Sequence, residues 1–171
     1  LTGRPEPGLV GGALVFTVGL MHGIGQLHLH AAAPDAMVAL DRQCHVLEER
    51  RAELEQQVLG FHHGDVAAAL ATLWNFPAPI SAALQAAVQP LAQPEFSQAG
   101  AWVYLGAWRA RVEVMALDAE NALASYPTDV ARHLHLTPGW AAAQTGITNT
   151  PPGDAMPALP ELTEGLEAML N

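Results

Sequence analysis

Apolar residues recur along this chain at helical spacing, and no stretch sustains the period of two that marks a strand. A first helix is expected over Val10 to His22, loosened or ended by Gly23 and Gly25. Leu27 and Leu29 then alternate with His28 and His30 like a short extended edge, and Pro34-Asp35 opens a second helix. From Gln43 to Val58 the residues Cys44, Leu47, Leu54 and Val58 form one stripe opposite a charged face, which predicts an amphipathic surface helix stopped by Gly60. Val66, Leu70, Leu73 and Trp74 follow at i, i+4, i+7 and i+8. Past Pro79, Ile80, Ala83, Leu84, Ala87 and Val88 repeat the pattern. Joined by Asn75-Phe76-Pro77, these two segments read as a tight helical hairpin. A long helix is predicted from about Gln98 to Ser125, and a short one from Thr128 to before Pro138. The four prolines between 148 and 160 mark an extended connector, and Leu162, Leu166, Met169 and Leu170 give the segment from Glu161 to Leu170 a small apolar face. The class is all-α.

Composition sharpens this picture. Half of the 171 residues are hydrophobic and only 14% are charged, which suits a buried core. The net charge is −10, and all seven basic residues are arginines. No basic face can be assembled, so nucleic acid is not an expected partner. Arg50-Arg51, set among Glu48, Glu49, Glu53 and Glu55, reads as a solvated helix surface. Cys44 is the single cysteine and fits a reducing, cytoplasmic setting. The apolar run from Gly8 to Met21 is too short for a membrane span and leads straight into His22, so a buried core helix is expected and no membrane contact.

Two motifs carry chemistry. Gly19-Leu20-Met21-His22-Gly23-Ile24-Gly25-Gln26 resembles the signature around the His-Asp pair of HD-domain metallophosphohydrolases. Leu59-Gly60-Phe61-His62-His63-Gly64-Asp65-Val66-Ala67-Ala68, followed by Leu73-Trp74-Asn75-Phe76-Pro77-Ala78-Pro79-Ile80, resembles Leu-Gly-Phe-Asp-His-x-x-Val-Gly-Ala…Trp-x-x-Pro-x-x-Ile. That second pattern belongs to the HDOD family, the HD-related output domains of bacterial signalling proteins. The resemblance runs from about Val10 to Ala124 and implies an HD-domain-like helical bundle over 10–136. It leaves 1–9 as a linker or chain edge and 137–171 as a Pro-rich connector with a short C-terminal helix. The family's N-terminal helical subdomain is expected to be missing.

Carried over position by position, the resemblance implies a depleted metal site. His22 matches the HD histidine, but Gly23 stands where the aspartate belongs. His63 matches the histidine of the second motif, and His62 replaces an aspartate common before it. Ala87 and Val88 stand where many relatives have a His-His pair, and Ala107 replaces an aspartate of the long helix. Two histidines cannot assemble a divalent-metal hydrolase. His22 and His63 are therefore vestigial ligand positions expected to approach each other, and His22, His62, His63 and Asp65 mark a possible pocket. An aspartate restored at 23 would be an isolated buried carboxylate and is expected to lower stability.

Each of these residues also has a plainer role: His22 as a core histidine, His63 ordering a helix start, and His28, His30, His133 and His135 on the surface. Trp74 and Ile80 are expected to be buried against the helix that carries His22, and Trp140 to offer an exposed ring to a partner. The resemblance implies a pseudoenzyme without cofactor that works through contacts with other signalling proteins or domains. The alternatives are a sensor that uses the vestigial pocket for a nucleotide or metabolite, and a residual metal-dependent phosphohydrolase.

Overall fold

The computed structural model describes residues 11–137 and 139–140, all helical or loop. The expected segments 1–9, 148–160 and Glu161 to Leu170 lie outside the described residues. In chain order the helices are α1 (Gly12–Met21), α2 (Ile24–Ala32), α3 (Pro34–Asp41), α4 (Arg51–Leu59), α5 (His63–Leu73), α6 (Ala78–Ala86), α7 (Gln98–Val114), α8 (Ala119–Ala124) and α9 (Thr128–His133).

The central packing unit is α5 with α6 and α2, closed by α7 against α1 and α6. Its core is built largely of small side chains: Ala67, Ala71, Ala83, Ala87 and Ala99 surround Val18, Leu84 and Val103. Small residues let helix axes approach closely, and glycine sets the limit at two crossings. A methyl group at Gly25 would overlap the backbone carbonyl of His63, and one at Gly100 would lie 2.7 Å from the Ala86 Cβ. Thus α2 lies directly on the start of α5, and α7 on the end of α6.

The hairpin forms as expected, but Trp74 is not its anchor. Trp74 is 48% exposed at the end of α5. Asn75, at φ +58°, turns the chain there, and Phe76 packs on the core beside a half-buried Ile80. The residues read as an extended edge, 27–30, are the middle of α2. Leu29 is buried against Met37 and Leu40, and His30 Nδ1–H donates to the Gln26 carbonyl one turn back. Four alternating residues weigh little against packing that buries Gly25, Gln26 and Leu29.

The amphipathic helix begins at Arg51 rather than Gln43, and its face is also turned. Val58 is 56% exposed, while Arg51, Ala52 and Glu55 are buried. The long helix stops at Val114, because Ala116 takes a left-handed φ of +48° and the Asp118 carboxylate caps α8 by accepting from the Asn121 amide. Trp140 is not a free ring. It is half-buried and meets Trp102 edge-on, with ring centres 6.1 Å apart, and lies beside Tyr126.

The stretch Gly12–Ala32 is long and apolar enough, by length and composition, to cross a bilayer. Here the turn at His22-Gly23 divides it, and its two halves pack on different helices, α1 on α7 and α2 on α5.

Candidate functional site

The six positions carried over from the sequence motifs meet in one place. His22 and Gly23 between α1 and α2, His63 at the start of α5, Ala87 and Val88 after α6, and Ala107 on α7 all line a single cavity of about 180 Å³. His62 and Asp65 do not line it. The His62 ring caps α5 instead, its Nδ1 accepting from the Gly64 and Asp65 amides at 3.1 and 3.3 Å. The Asp65 carboxylate returns the bond by accepting from the His62 amide at 3.1 Å. This is a capping box with imidazole in place of a hydroxyl. It needs a neutral His62 ring, and burial of the side chain lowers the His62 pKa accordingly.

The two cavity histidines are held at the same ring atom. His22 Nδ1–H donates to the Gly19 carbonyl, and His63 Nδ1–H donates to Glu55 Oε2 at 2.7 Å. Held this way, each ring leaves its Nε2 without a protein partner among the described residues. The Glu55 carboxylate fixes the orientation of His63 as a carboxylate fixes a ligand histidine in metal sites.

Glu55 sits at the centre of a polar network that periodicity did not reveal. Its side chain is fully buried. It accepts from the His63 amide at 2.8 Å, from Gln26 Nε2 at 2.6 Å and from Arg51 Nε at 2.9 Å. Arg51, 1% exposed, also donates to the Cys44 carbonyl and pairs with Asp41 at 2.8 Å. The reading of Arg51 and Glu55 as a solvated surface is thereby overturned. An Arg and a Glu at i, i+4 have the spacing of a surface pair and of a buried one alike. Burial alone would raise the Glu55 pKa, but hydrogen bonds and charge from His63 and Arg51 outweigh it and bring the carboxyl down to about 2. His30 closes the outer end of the network. Its two ring nitrogens face the Gln26 carbonyl and, at 3.0 Å, Asp41, which raises its pKa.

The remaining polar groups at the cavity come from α7 and the turn before α4. Tyr104 donates to Glu49 Oε1 at 2.9 Å, and burial together with that carboxylate raises its phenol. Trp108 Nε1–H is turned away to Ser125, leaving its ring at the cavity wall.

Metal chemistry does not fit this donor set. Among the described residues no group of three or more His, Cys, Asp or Glu side chains is placed to hold a metal ion. At the ligand positions themselves a glycine, two alanines and a valine offer no donor atom. Gly23 has open space around it and precedes α2 with a helical backbone, φ −79° and ψ −9°, rather than the extended one from which an aspartate caps a helix. An aspartate there would meet no steric cost.

The sequence profile of the HDOD domain matches residues 8–90. No curated protein matches the sequence. Among solved structures, the fold is similar to a crystal structure of a protein from Shewanella amazonensis SB2B named "putative phosphohydrolase". The TM-score is 0.60 at 17% identity, over 79% of this chain and 50% of that one. The likeness is one of fold, and the chain spans about half the length of the Shewanella protein.

Proposed function

We propose that this chain, whose residues 8–90 are an HDOD domain in an HD-like helical fold, is a non-catalytic regulatory module that works in a bacterial cytoplasm through contacts with other signalling proteins. One observation carries the reading. The six family ligand positions come together around the cavity, yet they supply two imidazoles and not one carboxylate. A hydrolase that activates water on a divalent metal needs more donors than that. The scaffold that would position the chemistry is kept while the donors are replaced, as expected of a domain used for its shape.

A surface suited to contacts is present on α1. Phe16 and Leu20 stand one turn apart and are 72% and 76% exposed. Partner contact or movement of a neighbouring domain would act by shifting the balance between helix arrangements.

The test compares wild type with Gly23→Asp on an aryl phosphate and on cyclic dinucleotides, with manganese added, alongside elemental analysis of both proteins. We expect no turnover and no stoichiometric metal in either. The melting midpoint of the variant should stay within what about 0.5 kcal/mol would produce, since the new side chain has open space around it. Turnover by the wild type, or a full equivalent of iron, manganese or zinc in it, overturns the reading.

A further inference from the structure

We propose that the cavity is a binding site for a small organic oxyanion, a carboxylate or phosphate carried on a body the size of a single ring, with Arg111 as its anchor. Arg111, on α7, is nine-tenths buried; it lines the cavity beside Tyr104 and Trp108 and also borders an outer groove with Glu48, Glu49, Arg50 and Glu53. Among the described residues no carboxylate pairs with it and no acceptor takes a hydrogen bond from it. Two carboxylates do line the same cavity, but both are engaged elsewhere. Glu48 accepts from the His45 amide at 2.8 Å and pairs with Arg50 at 3.3 Å, and Glu49 accepts from the Tyr104 hydroxyl at 2.9 Å. A guanidinium stays charged in any protein environment, and burying one unpaired is costly. Such a group, facing open space, calls for an anion from outside, and its planar fork matches a carboxylate or phosphate.

The rest of the wall describes the body of the ligand. Ala52, Ala87, Val88, Ala107 and the Trp108 ring are apolar. The volume of about 180 Å³ is close to the roughly 150 Å³ known to accept one benzene ring. His22 and His63 also line the cavity, with their Nδ1 atoms turned to Gly19 and Glu55, so each ring has its Nε2 left to exchange a hydrogen bond with a polar group on the ligand. The ligand thus carries an anionic group for Arg111, a flat or apolar body, and a polar group for the histidines. This goes beyond the regulatory reading. Turnover would overturn that reading and leave anchoring by Arg111 standing.

The experiment titrates the full chain with 4-hydroxybenzoate, phenyl phosphate and the neutral 4-hydroxybenzamide, read by tryptophan fluorescence and calorimetry. At least one of the two anions should saturate, and the stronger identifies carboxylate or phosphate as the natural group. The amide should bind about tenfold more weakly or worse. Arg111→Met should remove the anion's advantage while leaving the melting temperature of the free protein unchanged or raised, because it deletes an unpaired charge. Arg111→Lys should keep part of the affinity, and Ala107→Leu should block binding by filling the cavity. Neither anion saturating below about 10 mM, equal binding of the amide, or full binding by Arg111→Met would each overturn the site. So would an Arg111→Met protein that fails to fold or melts lower, since Arg111 would then be structural.

Discussion

Glu55 is the residue on which the site's geometry depends most directly. Its carboxylate joins Arg51, Gln26 and His63, so Glu55→Ala strips the Nε of a buried guanidinium and the Nδ1 of an imidazole of their acceptor, though Arg51 keeps Asp41. The expected loss is about 3–5 kcal/mol in chemical denaturation. Its pKa falls from an ordinary 4.5 to about 2 in the folded protein. The stabilisation from this ionisation is therefore fully present above pH 4.5 and is lost as the pH falls towards 2. Glu55→Gln should be less stable at neutral pH and lose less of its remaining stability over that window. Equal acid sensitivity of variant and wild type would show that other carboxylates set the acid limb. Trp74→Ala, by contrast, should cost no more than about 1 kcal/mol, because half of that ring is already in water. A melting curve shifted further would mean that the ring is covered. At this scale the six positions carried over from the motifs share one cavity. But His62 and Asp65, read with His22 and His63 as a possible pocket, form the cap of α5 instead, because the spacing of a capping box resembles that of paired site residues. The sequence did not disclose Arg51, Glu55 or Arg111, because a buried ion pair and a buried lone arginine leave no mark on hydrophobic periodicity.

Between elements, the decisive contact is α2 on α5. Gly25→Ala puts a methyl group into the His63 carbonyl, against the backbone of α5 with no flexible side chain to yield. We expect a loss of about 3 kcal/mol and displacement of His63. Gly23→Ala, two residues away and open on all sides, serves as the control and should be neutral or slightly stabilising. Equal effects from both would place α2 farther from α5 than described. Most helices were legible from apolar spacing and from the prolines that open α3 and α6. Helix α2 was not, because its buried side is made of Gly25, Gln26 and Leu29, two of which carry no hydrophobic signal. The end of α7 was missed for a similar reason. Ala116 adopts its left-handed turn without being a glycine, and Asp118 reads as a cap only once the break is known.

Across the described residues the molecule is a block of α1, α2, α5, α6 and α7 with smaller helices set around it. The class and the HD-like arrangement followed from sequence because two motifs in the right order fix four of those helices. The network around α4 lay beyond reach because it is held by polar atoms. Amide hydrogen exchange should reflect this division, with the slowest amides in α2, α5, α6 and α7 and faster exchange in α3 and α4. Uniform protection would contradict it. The glycine contact beneath His63 then has a mechanical meaning. The close contact between α2 and α5 resists sliding of one along the other and sets His22 and His63 as a jaw around the cavity. Helix α4 has few packing contacts but is bonded to that jaw through Glu55. A push on His63 from inside the cavity therefore travels outward along hydrogen bonds as tension on one short helix, while the block keeps its shape.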